Sequence, residues 1–98
     1  MVKLIMSWNI KTDEEPAYFE FMVQEFAPRV MKLGMRPTEA WYTVYGAGPQ
    51  IITVGEAPDR ETLNRALAST DWAELLEKLQ TFVTDYNQRI TNIKPKKS

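Results

Sequence analysis

The sequence has no cysteine and no histidine. The first absence excludes disulfides, thiol catalysis, iron–sulfur ligation and cysteine-based zinc sites. The second removes the commonest general base, the commonest metal ligand and the usual proximal haem ligand. There is no excess of one charge: twelve basic and thirteen acidic residues leave a formal net charge of −1. That balance argues against a chain built to grip nucleic acid or anionic lipid. No apolar run approaches the roughly 20 residues of a membrane span. The opening Met1-Val2-Lys3-Leu4-Ile5-Met6 lacks the apolar length and the small-residue cleavage site of a secretory leader, so a cytoplasmic location is expected. No metal, no cofactor, no nucleic acid and no membrane are expected. What is left for chemistry is carboxylate, lysine, arginine, tyrosine, serine, threonine and backbone.

What is present is a globular composition, 44% hydrophobic and 26% charged over 98 residues. It supports one domain over residues 1–94 and a flexible basic tail over 95–98. The first segment alternates: Val2, Leu4, Met6, Trp8 and Ile10 share one face, which predicts a strand with that face in a core. Thr12 and Glu15 have capping-box spacing, with Pro16 near the start, and predict a helix opening at Thr12. Phe19, Met22, Val23, Phe26, Val30 and Leu33 then form its apolar stripe. Pro28 removes the bond to the Gln24 carbonyl and predicts a kink or break, and Gly34 ends the helix.

Glu39–Tyr45 and Gln50–Glu56 read as two strands joined by the Gly46-Ala47-Gly48-Pro49 turn. Pro58-Asp59 opens a helix carrying Leu63, Ala66 and Leu67. Asp71, with Glu74 at capping-box distance, opens another. The stripe of this last helix is Trp72, Leu75, Leu76, Leu79, Val83 and Tyr86, and Glu74 and Lys78 have ion-pair spacing on its wet side. Residues 88–94 form a short last strand. The order β-α-β-β-α-β predicts an α+β, ferredoxin-like domain: a four-stranded antiparallel sheet with helices on one face.

The other sheet face then needs a cover. Ala40, Tyr42 and Val44 lie on one side of the second strand, and Trp41, Thr43 and Tyr45 on the other. Alternation alone does not say which set meets the helices. Either way an aromatic set faces outward, and a twofold homodimer burying that face is the simplest answer.

Together these segments resemble the dimeric α/β-barrel superfamily, which includes antibiotic-biosynthesis monooxygenases and stress-responsive barrel proteins. The resemblance covers residues 2 to 94. It rests on the element order, the length, the Gly46–Pro49 hairpin, and Asp71-Trp72 followed by Leu75, Leu76 and Leu79. It implies two subunits packed sheet to sheet, with a pocket between each sheet and its helices. Haem-degrading members use an asparagine on the first strand, a tryptophan on the second helical segment and a histidine. Asn9 and Trp72 match the first two; Phe82 falls where the histidine belongs, so haem degradation is not implied.

Candidate chemistry centres on Glu25, placed by helical spacing in a flank stripe with Tyr18, Phe21, Arg29 and Lys32. A carboxylate between aromatics can serve as a general base. The plainer alternative is an exposed ion pair of Glu25 with Arg29. Trp8, Asn9, Met22, Phe26, Tyr42, Tyr45 and Trp72 are the candidates for lining a pocket for a small apolar ligand. The resemblance points to a cofactor-independent monooxygenase or isomerase acting on an apolar or aromatic substrate. The alternative is a non-catalytic ligand-binding or assembly subunit.

Overall fold

The structure, a computed structural model, describes residues 1–42 and 50–92, with Tyr42 and Asn92 described by backbone alone. The Gly46–Pro49 turn, the site candidate Tyr45 and the 95–98 tail lie outside the described residues.

β1 (Val2–Ile10) is a central strand because its alternation gives it one fully apolar face. It pairs antiparallel with β3 (Ile51–Ala57) on one side and β4 (Val83–Asn92) on the other. β2 (Arg36–Tyr42) adds to the free side of β3, giving the order β2-β3-β1-β4. Four helices and a π-helical turn lie on one face: α1 (Glu15–Phe21), the π segment (Met22–Phe26), α2 (Ala27–Lys32), α3 (Arg60–Leu67) and α4 (Thr70–Leu79). The core fills the space between, with Val2, Leu4, Met6 and Trp8 of β1 meeting Leu63, Trp72, Leu75 and Leu79.

The register settles which set of β2 lies on the helix side of the sheet. Ala40 pairs with Thr53 and Tyr42 with Ile51, residues that lie opposite Met6 and Trp8. Trp41 pairs with Ile52 on the open face, where it is half exposed. β2 starts three residues earlier than its aromatic content suggested. It accommodates Pro37 because an edge strand needs no donor on its free side, and its pairing shifts between Pro37 and Glu39.

The first helix departs from the expected pattern in three ways. It starts at Glu15, not Thr12: a turn closed by Glu14 N–H onto the Lys11 carbonyl consumes Thr12 and Asp13, and the helix has no side-chain cap. Its apolar stripe is also different. Tyr18 and Phe21 are buried, whereas Phe19 is 46% and Val23 74% exposed. The cause is the third departure. Ala27 N–H bonds the Met22 carbonyl five residues back, so one turn holds an extra residue. Pro28 cannot donate to the Gln24 carbonyl, and the backbone answers with this wider turn rather than a break. The helix keeps its course with Phe26 and Val30 buried beyond the turn.

The remaining helices begin on side-chain caps. Asp59 accepts from Thr62 N–H at 2.7 Å and Ser69 Oγ from Trp72 N–H at 3.1 Å. The last helix therefore opens at Thr70 on a serine cap, not at Asp71. It ends at Leu79, so Val83 and Tyr86 belong to β4, which starts five residues before the predicted strand. Lys78 does not pair with Glu74; it reaches Glu25 instead.

Gly34 closes α2 in the left-handed region, φ +95°. Met35 N–H bonds the Val30 carbonyl and Gly34 N–H the Met31 carbonyl, the paired closure that a C-terminal glycine permits. A Cβ there would lie 2.8 Å from Thr62 Cγ2 on α3. Gly34→Ala is expected to lower unfolding free energy by about 1–3 kcal/mol, read from urea denaturation, through backbone strain and this clash.

Candidate functional site

A cleft of about 470 Å³ opens between the π segment and the β2 edge of the sheet. Its inner wall is Met6 of β1 with Thr53, Val54 and Gly55 of β3. One side is Met22, Val23, Phe26, Ala27 and Val30; the other is Pro37–Ala40 of β2. The opening has two physical causes. First, every side chain from Arg36 to Trp41 is exposed, so the helices leave the β2 end of the sheet uncovered. Second, Ala27, Ala40 and Gly55 line the cleft with no more than a methyl group each. The widened turn then presents Met22, Val23 and Phe26 along one rim. The volume falls within the roughly 300–1,000 Å³ usual for small-molecule sites.

Among the described residues the lining carries no cation, and its one ionisable residue, Glu39, sits 3.6 Å from Lys3 Nζ. Thr53 is the one buried polar residue among those described, 8% exposed on an otherwise apolar wall.

No protein-family model matches the chain, and no curated protein matches it. Solved structures do. A protein of Arabidopsis thaliana superposes with a TM-score of 0.81 at 14% identity, covering 100% of both chains. A proposed antibiotic biosynthesis monooxygenase of Deinococcus radiodurans gives 0.77 at 12% identity, covering 100% of this chain and 97% of that one. An uncharacterised NIPSNAP domain protein of Burkholderia xenovorans gives 0.70 at 11% identity, covering 96% and 95%. The chain has the ferredoxin-like α+β fold of these proteins. At such identities the likeness establishes the fold and not the chemistry.

Within the ferredoxin-like frame the sequence-derived candidates separate. Met22 and Phe26 line the cleft. Trp8 has no exposed surface and lies behind Phe26, ring centroids 6.1 Å apart. Trp72 is also buried against Phe26, at 6.4 Å. Asn9 is occupied at the end of β1. Its amide donates to Asp85 Oδ2 at 3.0 Å, and its oxygen accepts from Gln50 N–H at 2.8 Å. It braces the β1–β4 irregularity, where Asp85 takes φ +57°. Glu25 faces the opposite flank and holds Lys78 Nζ at 2.6 and 2.8 Å. Arg29 lies 3.9 Å from Asp71, not beside Glu25. Tyr42 pairs through its backbone with Ile51.

Sequence reasoning did not select Val23, Ala27, Val30, Thr53 or Gly55. Thr53 had a signal: a polar residue two positions from Ile51 on a strand whose other neighbours are apolar. The rest depend on the widened turn and on the bare edge of β2, which no local pattern announces.

Behind the cleft the aromatic core is closely knit. Trp8 stacks on Tyr86 at 5.9 Å with 12° between planes, and meets Tyr18 edge-on at 6.4 Å. Trp8 Nε1 donates to the Tyr18 hydroxyl at 2.9 Å. Burial pushes the Tyr18 hydroxyl up to about 12, against a smaller opposing effect of that hydrogen bond, and burial also raises Tyr86. In the unfolded chain both phenols ionise near 10, while the fold keeps Tyr18 protonated to about 12. The unfolded state therefore binds fewer protons in that window, and stability falls as pH rises from about 10 to about 12. Absorbance at the phenolate band should show ionisation of these two tyrosines together with unfolding. Titration at the ordinary value in a folded chain would contradict their burial.

Proposed function

We propose that this chain binds a small, largely apolar molecule in the cleft beside the π segment and works as a homodimer closed over its open sheet face. The observation that carries the binding half is the widened turn. It sets Met22, Val23 and Phe26 along the rim of an apolar opening that a regular helix would offer differently. π turns concentrate at functional sites because their cost in backbone geometry needs a return elsewhere. The ferredoxin-like neighbours named for antibiotic biosynthesis monooxygenases support a small-molecule role.

The dimer half draws on the open face, where half-exposed Trp41 lies in register with part-exposed Ile52, and Ile5 is part-exposed on the same face. An apolar face of this kind favours association with its own copy.

The distribution of ionisable groups supports binding ahead of turnover. The lining's one carboxylate is held by Lys3, and Glu25 is held by Lys78 on the far flank. Cofactor-independent oxygenation or isomerisation in this cleft would draw on the reactivity of the substrate itself, with the protein supplying a dry, shaped site.

Native mass spectrometry of freshly purified protein tests both halves. A dimer carrying extra small-molecule mass is expected, and Trp41→Lys should halve the assembly mass. A wild-type monomer overturns the dimer. Ala27→Trp fills the cleft and should weaken binding of Nile red, a neutral apolar dye, by about tenfold or more, roughly 1.4 kcal/mol. Unchanged dye affinity in a folded Ala27→Trp protein overturns the cleft as the binding site.

A further inference from the structure

We propose that the Thr53 hydroxyl is the polar anchor of the cleft, and that its ligand is a neutral apolar molecule carrying a hydrogen-bonding oxygen such as a ketone carbonyl. The proposal rests on the cleft-binding reading above and adds which ligand the cleft selects.

Thr53 lies on the helix-facing side of β3, between Met6 of β1 and Ala40 of β2 in the ladder. It is more than nine-tenths buried, yet its hydroxyl has no hydrogen-bond partner among the described residues. No sealed side-chain polar atom among those residues lacks a partner, so the Thr53 oxygen is not sealed off. The cleft that it lines gives it that access. A buried hydroxyl that pairs with nothing in the protein contributes no hydrogen bond to the fold and is poised to make one with an occupant.

The rest of the lining decides the charge of the occupant. Met6, Met22, Phe26 and Val30 offer only apolar surface, and among the described residues no lysine or arginine lines the cleft to neutralise an anion. A carboxylate or phosphate entering this cleft would lose hydration without gaining a counter-charge, a cost that a ketone avoids. Glu39 at the β2 side is already paired with Lys3, so this ion pair leaves no uncompensated charge for an ionic ligand. Thr38, the other hydroxyl among the described lining residues, is exposed on β2, whereas the buried Thr53 hydroxyl on the apolar wall discriminates chiefly by being satisfied or left unpaired.

Three naphthalenes of similar shape make the test: 2-ethylnaphthalene, 2-acetylnaphthalene and 2-naphthoate. Dissociation constants are measured by fluorescence for wild type, Thr53→Val and Ala27→Trp. In wild type the acetyl compound should bind about fivefold tighter than the ethyl compound, the worth of one net hydrogen bond, and the naphthoate weakest of the three. Thr53→Val should erase the acetyl preference and leave the affinity for 2-ethylnaphthalene unchanged. Its midpoint in urea should hold or rise, since the lost hydroxyl bonds nothing in the protein. Equal binding of ethyl and acetyl compounds in wild type, or a preference that survives Thr53→Val, overturns the anchor while leaving cleft binding intact. Tightest binding of the naphthoate overturns the neutral-ligand class. If none of the three binds, or if Ala27→Trp binds them unchanged, the cleft reading falls and the anchor with it.

Discussion

Everything on the helical side of this molecule follows from the need to bury Phe21 and Phe26 against one sheet although they are five residues apart. At about 100° per residue, an unbroken α-helix would set them roughly 140° apart, one toward the core and one toward solvent. The i to i+5 bond between Met22 and Ala27 absorbs the extra residue, and both rings reach the core, 6.1 Å apart. Proline at position 28 makes this resolution inexpensive, because it withdraws a donor that the regular helix would need just there. The turn is thus a consequence of sequence, and the cleft rim is a consequence of the turn.

The aromatic cluster on the core side and the cleft on the edge side are two ends of one packing arrangement. Phe26 belongs to both: it meets Trp8, Phe21 and Trp72 inward and lines the cleft. Each such ring pair is worth about 0.5–1.5 kcal/mol beyond area burial, so the inner wall is held in place by more than a single contact. Opposite it, β2 keeps Arg36–Trp41 exposed, with small residues at Ala40 and, on β3, Gly55. A stiff wall facing a bare strand is a fit arrangement for a site whose shape is set before a ligand arrives.

The fold was largely legible because β1 alternates so cleanly and because the order of apolar segments is that of the elements. Asp59 was legible too, predicted near a helix start and found accepting from Thr62 N–H. The helix stripe was legible only in its second half. Extrapolating the spacing of Phe26 and Val30 backward assigns Phe19 and Val23 to the core. The widened turn puts Tyr18 and Phe21 there instead. A one-residue insertion leaves no trace in a periodicity count, and Pro28 marks its place without stating its form. Glu25 does lie beside Phe21 and Phe82, and its carboxylate is taken by Lys78 of α4, a partner that spacing along one helix does not reveal. Of the candidate site, Met22 and Phe26 were recoverable because large apolar side chains on a helix must face something. Thr53, Gly55 and Ala27 were not, since small residues become a cavity only through what surrounds them.

The pairing of β1 also sets the order in which the chain can take shape. Val2 pairs with Ala57 and with Asn92, so neither ladder of this strand can close until distant segments exist. At roughly 5–20 residues per second of synthesis, β1 waits on the order of ten seconds for its second partner. Until β3 emerges Val2, Leu4, Met6 and Trp8 have no sheet to sit in, and until β4 emerges one edge of β1 stays open. The strand that ends as the most sheltered part of the molecule is, while the protein is being made, its longest-exposed adhesive surface, and its folding yield in a cell is tied to how well that surface is shielded until the last strand emerges.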